Sequence, residues 1–223
     1  MMKKLVSLLL ALCLMTAAGA VFAEESYDVQ VTMPDAAPID IQFKDLSSYA
    51  ASSTDKVSVT GTYHVIQFHG LSLLMDVPSG YMSVTQDYFS SLNYFSQLQN
   101  PDEVLQYMID NEVHLVLIDT FVGNIYEFCY LGQDSTSSRI GNLSSLSEGQ
   151  VASFGEFFCP AVGLNAPDEY FSANGLTWGR SGNIFFTVVG GHYVYVRLSV
   201  ENDLTDDDIK DAKDLISLVT IYG

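Results

Sequence analysis

Apolar positions in this chain alternate, gather in short unbroken runs, or fall at helical spacing, and each rhythm marks a different element. Val29-Gln30-Val31-Thr32-Met33 and Ile39-Asp40-Ile41-Gln42-Phe43 alternate as strands do. Between them lies a turn bounded by prolines, Pro34-Asp35-Ala36-Ala37-Pro38. Residues 49–55 are small and polar, which reads as a loop. Residues 24–60 therefore predict an N-terminal arm or edge hairpin. Val57, Val59, Tyr63, Val65 and Ile66 predict a strand pair broken at Gly61. A second apolar run, residues 71–77, stops at the turn Pro78-Ser79-Gly80-Tyr81, and residues 82–86 predict a short strand. Tyr88, Phe89, Leu92, Phe95 and Leu98 then fall at helical spacing.

Asn100-Pro101-Asp102-Glu103 is a helix start. Asn can cap, proline suits the first helical position, and carboxylates favour the positive end of the dipole. Val104, Leu105, Met108 and Ile109 form the apolar stripe of that helix. Residues 113–118 are continuously apolar, as in a central strand, and residues 125–131 repeat the pattern before Gly132-Gln133-Asp134-Ser135. Ser147 to Gln150 fits a capping box. Val151, Phe154, Phe157 and Phe158 follow on one side, and Pro160 ends that helix. Residues 176–179, 184–189 and 193–200 predict three strands, with Gly190-Gly191 as a hairpin turn. Thr205 caps a last helix with Asp206, Asp207 and Asp208 in its first turn. Ile209, Ala212, Leu215, Ile216 and Val219 are its expected buried face.

The order is strands, helix, strands, helix, three strands, helix. Short turns between consecutive strands imply antiparallel pairing, so the expected class is α+β, a central mainly antiparallel sheet flanked by helices. The expected domain spans residues 61–223 behind the arm.

The first residues change the picture of where this domain works. Lys3 and Lys4 precede an apolar run at residues 5–15, and Val21-Phe22-Ala23 ends a stretch of small residues. That is the pattern of a secretory signal peptide cut after Ala23, and its apolar core is too short for a stable membrane span. The expected location is extracellular. Cys13 sits in this leader, but Leu12 occupies the place where a lipid-attachment box needs a small residue.

Cutting there sharpens the charge. The mature chain keeps seven basic residues against all 27 acidic ones, a formal charge of −20 against −18 for the whole chain. Such a surface argues against nucleic acid, whose phosphates need Lys and Arg, and against anionic lipid or an acidic wall polymer. It suits solubility, a cationic partner or a divalent metal. The partner expected is a protein or a small ligand, and no cofactor motif is present.

Cys129 and Cys159 remain in the mature chain. An even pair in an oxidising location suggests a disulfide; the alternative is two buried small hydrophobes. Their spacing matches no metal motif.

The run Phe68-His69-Gly70-Leu71-Ser72-Leu73-Leu74-Met75-Asp76-Val77-Pro78-Ser79-Gly80-Tyr81 resembles the opening of Mog1/PsbP-like domains: glycine, an alternating apolar strand, proline and an aromatic residue. Asn174-Gly175-Leu176-Thr177-Trp178, a hairpin, and a closing helix ending Leu215-Ile216-Ser217-Leu218-Val219 are similar to their final third. The resemblance covers roughly residues 64–221. It implies a central antiparallel sheet flanked by helices and no shared catalytic set.

Chemistry is sparse. His64 and His69, five apart in a strand-like stretch, point to opposite faces; His114 starts a buried strand and His192 sits at a turn. With no HExxH and no neighbouring Cys, all four read as structural or surface residues. Gly179-Arg180-Ser181-Gly182-Asn183 fails the GxSxG pattern, and Ser53-Thr54-Asp55-Lys56 matches SxxK only in a polar loop. No phosphate loop or GxGxxG is present.

Three readings follow. The leading one is a secreted, non-enzymatic binding domain with Tyr193, Tyr195 and Trp178 as contact residues, because Tyr and Trp dominate recognition surfaces. The second is a hydrolase using paired carboxylates, Glu127 or Glu156, if they converge in a cleft. Glu127 alternates with Ile125 and Cys129, which allows an inward-facing carboxylate; the favoured alternative is an edge position open to water. The third is a calcium-stabilised domain built on Asp206, Asp207 and Asp208, within an acidic cluster that also holds Glu201, Asp203 and Asp211 but lacks the calcium-loop pattern.

Overall fold

Among the described residues, eleven strands and two helices emerge from these patterns, most of them joined by tight turns. The computed structural model describes residues 29–31, 41, 59–86, 97–134, 159 and 163–222. The leader, most of the arm, the helical pattern at 88–96, the SxxK run, the capping box at 147–150 and Glu156 lie outside the described residues. In chain order the elements are β1 (Val29–Val31), β2 (Val59–Phe68), β3 (Leu71–Pro78), β4 (Tyr81–Thr85), α1 (Pro101–Asp110), β5 (Val113–Asp119) and β6 (Ile125–Asp134). They continue with β7 (Glu169–Ala173), β8 (Leu176–Ser181), β9 (Ile184–Val189), β10 (His192–Ser199), α2 (Asp206–Ile216) and β11 (Val219–Tyr222).

The helix-flanked α+β fold is corrected: the described chain is mostly β, built from two antiparallel sheets. The larger sheet runs β4-β5-β6-β10-β9-β8-β7, with β1 added on the far end of β6. The smaller runs β11-β3-β2. Two local features account for the difference. The turn at Ser79-Gly80 carries the chain from one sheet to the other, so β3 pairs with β2 and β11 rather than with the sheet that holds β4. Val219 stands four residues beyond Leu215, at helical spacing, yet α2 ends at Ile216 and Val219 opens β11 against Met75. Gly61 does not split β2; the register against β3 shifts there and the strand goes on. Likewise β6 runs through Gly132 to Asp134, with a register shift against β10.

The larger sheet is covered on both faces, which explains its unbroken apolar strands. One face packs Leu115, Leu117, Phe128, Val194 and Val196 against Leu71, Leu73 and Met75 of β3 and Ala212 and Leu215 of α2. The other face packs Val116, Cys129, Phe186, Tyr193 and Tyr195 against Val104 and Met108 of α1 and against Cys159. All six residues of β9 are buried. Gly179 exists to seat Phe186: a Cβ there would overlap the phenyl ring.

The helix starts predicted at Pro101 and after Thr205 hold. Thr205 Oγ1 accepts from the Asp208 backbone N–H while the Asp208 carboxylate accepts from the Thr205 N–H, a complete capping box. Asn100 occupies the cap position of α1 but its side chain makes no cap hydrogen bond; its amide reaches Glu103 instead. Among the described residues no helix is long and apolar enough to cross a membrane.

Candidate functional site

Most residues that the sequence nominated are structural. Tyr193, Tyr195 and Trp178 are 0%, 1% and 1% exposed, so the expected aromatic contact surface does not exist. Alternation along β10 could not reveal this, because α1 covers the tyrosine face while β3 and α2 cover the valine face. Glu127 is 1% exposed, so the favoured reading of an edge position open to water is corrected, but the carboxylate is not free for acid–base chemistry. Its carboxylate accepts from Arg197 Nε at 2.6 Å and from the Tyr107 hydroxyl at 2.7 Å. Arg197 is its cross-strand partner on β10, and it also donates to the Tyr107 oxygen. Burial opposes the Arg197 charge, yet the hydrogen bond and charge of Glu127 outweigh it and raise the guanidinium's pKa. Burial, then the bond to Glu127, raises that of Tyr107.

The disulfide is likewise corrected: Cys129 and Cys159 are free thiols in one apolar cluster. Burial raises both, that of Cys159 to about 12. Of the three aspartates in the α2 first turn, Asp208 is engaged by Thr205 and by the Asn124 amide at 2.7 Å, while Asp206 and Asp207 are exposed.

A different group converges at the end of the sandwich where β2 turns into β3. Among the described residues, His69, Glu112 and His114 alone bring three His, Cys, Asp or Glu donor atoms within 4.8 Å of one another. Glu112 Oε2 lies 2.9 Å from His69 Nε2 and 3.4 Å from His114 Nε2. His69 and Glu112 are about two-fifths exposed; His114 is 13% exposed.

The backbone at this cluster breaks local rules. Three hairpins of the fold have two-residue turns with positive φ at both positions, as type I′ geometry requires. Two of them use the favoured Asn174-Gly175 and Gly190-Gly191. The third uses His69-Gly70, placing a histidine at φ 46°. Glu112 follows the C-cap of α1 at φ 52°, a position glycine usually fills. Left-handed backbone costs a non-glycine residue about 1 kcal/mol. A half-exposed ion pair gives back about 0–1 kcal/mol. Two such residues whose side chains meet are strain held at a site.

Aromatic rings fix the imidazoles. His69 stacks on Tyr130, centroids 4.0 Å apart, and His114 stacks on Phe68 at 4.6 Å. The Tyr130 hydroxyl and His192 Nδ1 are 3.4 Å apart, so three of the four histidines gather here. Burial lowers the pKa of His114 despite the nearby Glu112 carboxylate, which keeps the ring neutral. Its Nε2 is shielded from solvent and makes no hydrogen bond. Burial, then the neighbouring His69, lowers the pKa of His192.

A second polar feature is a cleft of about 420 Å³ lined by Asp168, Glu169, Arg180, Asp206, Lys210 and Lys213. Its cations are already on carboxylates. Arg180 bridges Asp168 and Glu169 at 2.9 and 2.7 Å, Lys213 reaches Glu169 at 2.5 Å, and Lys210 reaches Asp214 at 2.6 Å.

No family model, curated protein or solved structure matches this chain. The sequence reading missed the histidine cluster because 43 residues separate His69 from Glu112. One signal was present: His-Gly between two strand-like runs, where Asn-Gly or Gly-Gly is the usual turn.

Proposed function

We propose that this chain is an exported, non-enzymatic binding domain whose ligand site is the cluster of His69, Glu112 and His114, flanked by Tyr130 and His192. One observation carries the reading. His69 and Glu112 meet at 2.9 Å, open to solvent, and each is held there in left-handed backbone. A site preorganised at a cost in backbone strain is what recognition needs. The basic start, the apolar run and Val21-Phe22-Ala23 support export with cleavage after Ala23. The engagement of Glu127 by Arg197 and Tyr107 supports binding over hydrolysis.

Two measurements test it. N-terminal sequencing of protein released by an expressing bacterial host is expected to begin at Glu24. A product retained in cells with residues 1–23 intact overturns export. Amide NMR of the mature chain, titrated with oligosaccharides, peptides and inorganic ions, is expected to shift residues 68–71, 111–114, 130 and 192. Shifts confined to the cleft around Arg180 and Lys213, or turnover of any panel member, overturn the reading.

A further inference from the structure

We infer that His69, Glu112 and His114 bind a divalent transition-metal ion of the zinc class and that the ion ties the two sheets together. The inference deepens the binding reading above and rests on it. Zinc holds nitrogen and oxygen donors at about 2.0–2.2 Å, so neighbouring donors of a tetrahedral site stand about 3.4 Å apart. Glu112 Oε2 already stands 2.9 and 3.4 Å from the two Nε2 atoms. Those two separations lie within about half an ångström of a coordination shell, and all three donor atoms lie within 4.8 Å of one another.

The donor chemistry selects the ion. Two imidazoles and one carboxylate suit zinc, cobalt or nickel, whereas calcium and magnesium prefer all-oxygen shells. His114 Nε2 is shielded from solvent and stands 3.4 Å from Glu112 Oε2 without hydrogen-bond geometry, a polar atom that a metal would satisfy. Tyr130 and Phe68 stack on the faces of the two rings and hold their orientation. The charge of −20 on the mature chain draws cations toward it.

A simple ion pair explains less. A half-exposed His–carboxylate contact is weak and needs neither residue in left-handed backbone.

The three ligands come from two places in the fold. His69 belongs to the hairpin of the smaller sheet, and Glu112 and His114 belong to the junction of α1 with β5 in the larger one. Coordination therefore links the sheets, and zinc should slow amide exchange on both sides of the link.

The experiment is calorimetric titration of the mature, chelator-treated chain with zinc, repeated with calcium. Cobalt absorption reports geometry, and hydrogen exchange reports the link. One equivalent of zinc is expected, with calcium inert at the same concentrations. His69→Asn is the decisive variant, since Asn-Gly is the preferred turn and this protein folds one already at Asn174-Gly175. It should fold at least as well while losing about 100-fold or more in zinc affinity. His114→Gln should lose as much, and Tyr130→Leu about 10-fold through lost ring orientation. Zinc should protect amides at both 68–71 and 112–115. Zinc binding unchanged in His69→Asn and His114→Gln, or no zinc binding at all, overturns the metal site. Zinc binding that protects neither segment overturns the link. If zinc fails while another panel member shifts the cluster by NMR, the metal falls and the binding reading stands. If nothing shifts the cluster, both fall.

Discussion

The imidazole of His69 and the carboxylate of Glu112 are 2.9 Å apart, and both residues occupy left-handed backbone, at φ 46° and 52°. Each stands where local structure favours another residue: Asn or Gly in a two-residue hairpin, and Gly after a helix C-cap. The side chains, not the turns, account for their presence.

Relaxing either position should therefore stabilise the metal-free protein. His69→Asn and Glu112→Gly are each expected to raise unfolding free energy by about 1 kcal/mol. Urea denaturation would show this as a higher midpoint with an unchanged slope. A lower midpoint for both variants would mean that the His69–Glu112 contact is a stabilising element in its own right.

Glu127, Arg197 and Tyr107 form a buried structural unit, and its energetics differ in kind. Arg197→Ala leaves the Glu127 carboxylate buried without its countercharge, and about 3–5 kcal/mol of stability should be lost. Tyr107→Phe removes one hydrogen bond to that carboxylate and should cost about 1–2 kcal/mol. Replacing both charges together, as Glu127→Leu with Arg197→Met, should recover most of the Arg197→Ala loss, because no isolated charge remains. An Arg197→Ala protein within 1 kcal/mol of wild type, roughly the worth of a surface pair, would show that water reaches this site.

Much of the fold is written in local pattern. The continuous apolar runs that became β5, β6, β9 and β10 needed only their own residues to be read, and so did the Thr205 cap of α2. What local pattern does not carry is partnership. Leu71, Leu73 and Met75 alternate as any strand does, and nothing in them says that β3 joins Val219 rather than the sheet of β4. Val219 itself fits a helical face as well as a strand. Tyr193 and Tyr195 alternate as surface recognition residues do, and become core because α1 lies over them. His69 and Glu112 meet through tertiary structure alone.

The thiols give an independent check on the face that carries Tyr193 and Tyr195. Cys129 and Cys159 are 1% and 0% exposed, share an apolar cluster and have pKa values raised by burial. Thiolate, not thiol, reacts, so both should be inert to a disulfide reagent in the native protein at mildly alkaline pH. Both should titrate promptly in denaturant, and the intact mass should show two unoxidised cysteines. A native protein with a fast-reacting thiol would require that face of the larger sheet to open.

Acid stability should report the polar link between α2 and β7. Lys213 on α2 donates to Glu169 Oε2 at 2.5 Å, and Arg180 donates to Oε1 at 2.7 Å. The hydrogen bond from Lys213 is the largest cause that holds Glu169 below its ordinary value of 4.5, with Arg180 adding to it and partial burial opposing. A carboxylate with a depressed folded pKa binds fewer protons than its unfolded form. Its contribution is complete above about 4.5 and is lost as pH falls through the lower, folded value. Lys213→Met removes the main cause, so the folded pKa returns toward 4.5 and the stability lost on acidification shrinks. The comparison is unfolding free energy of the two proteins at a series of pH values from neutral down to about 3, at low salt, because a partly exposed pair is screened by ions. Superimposable acid limbs would show that Arg180 alone holds Glu169 and that Lys213 contributes no more than its packing over the Phe171 ring.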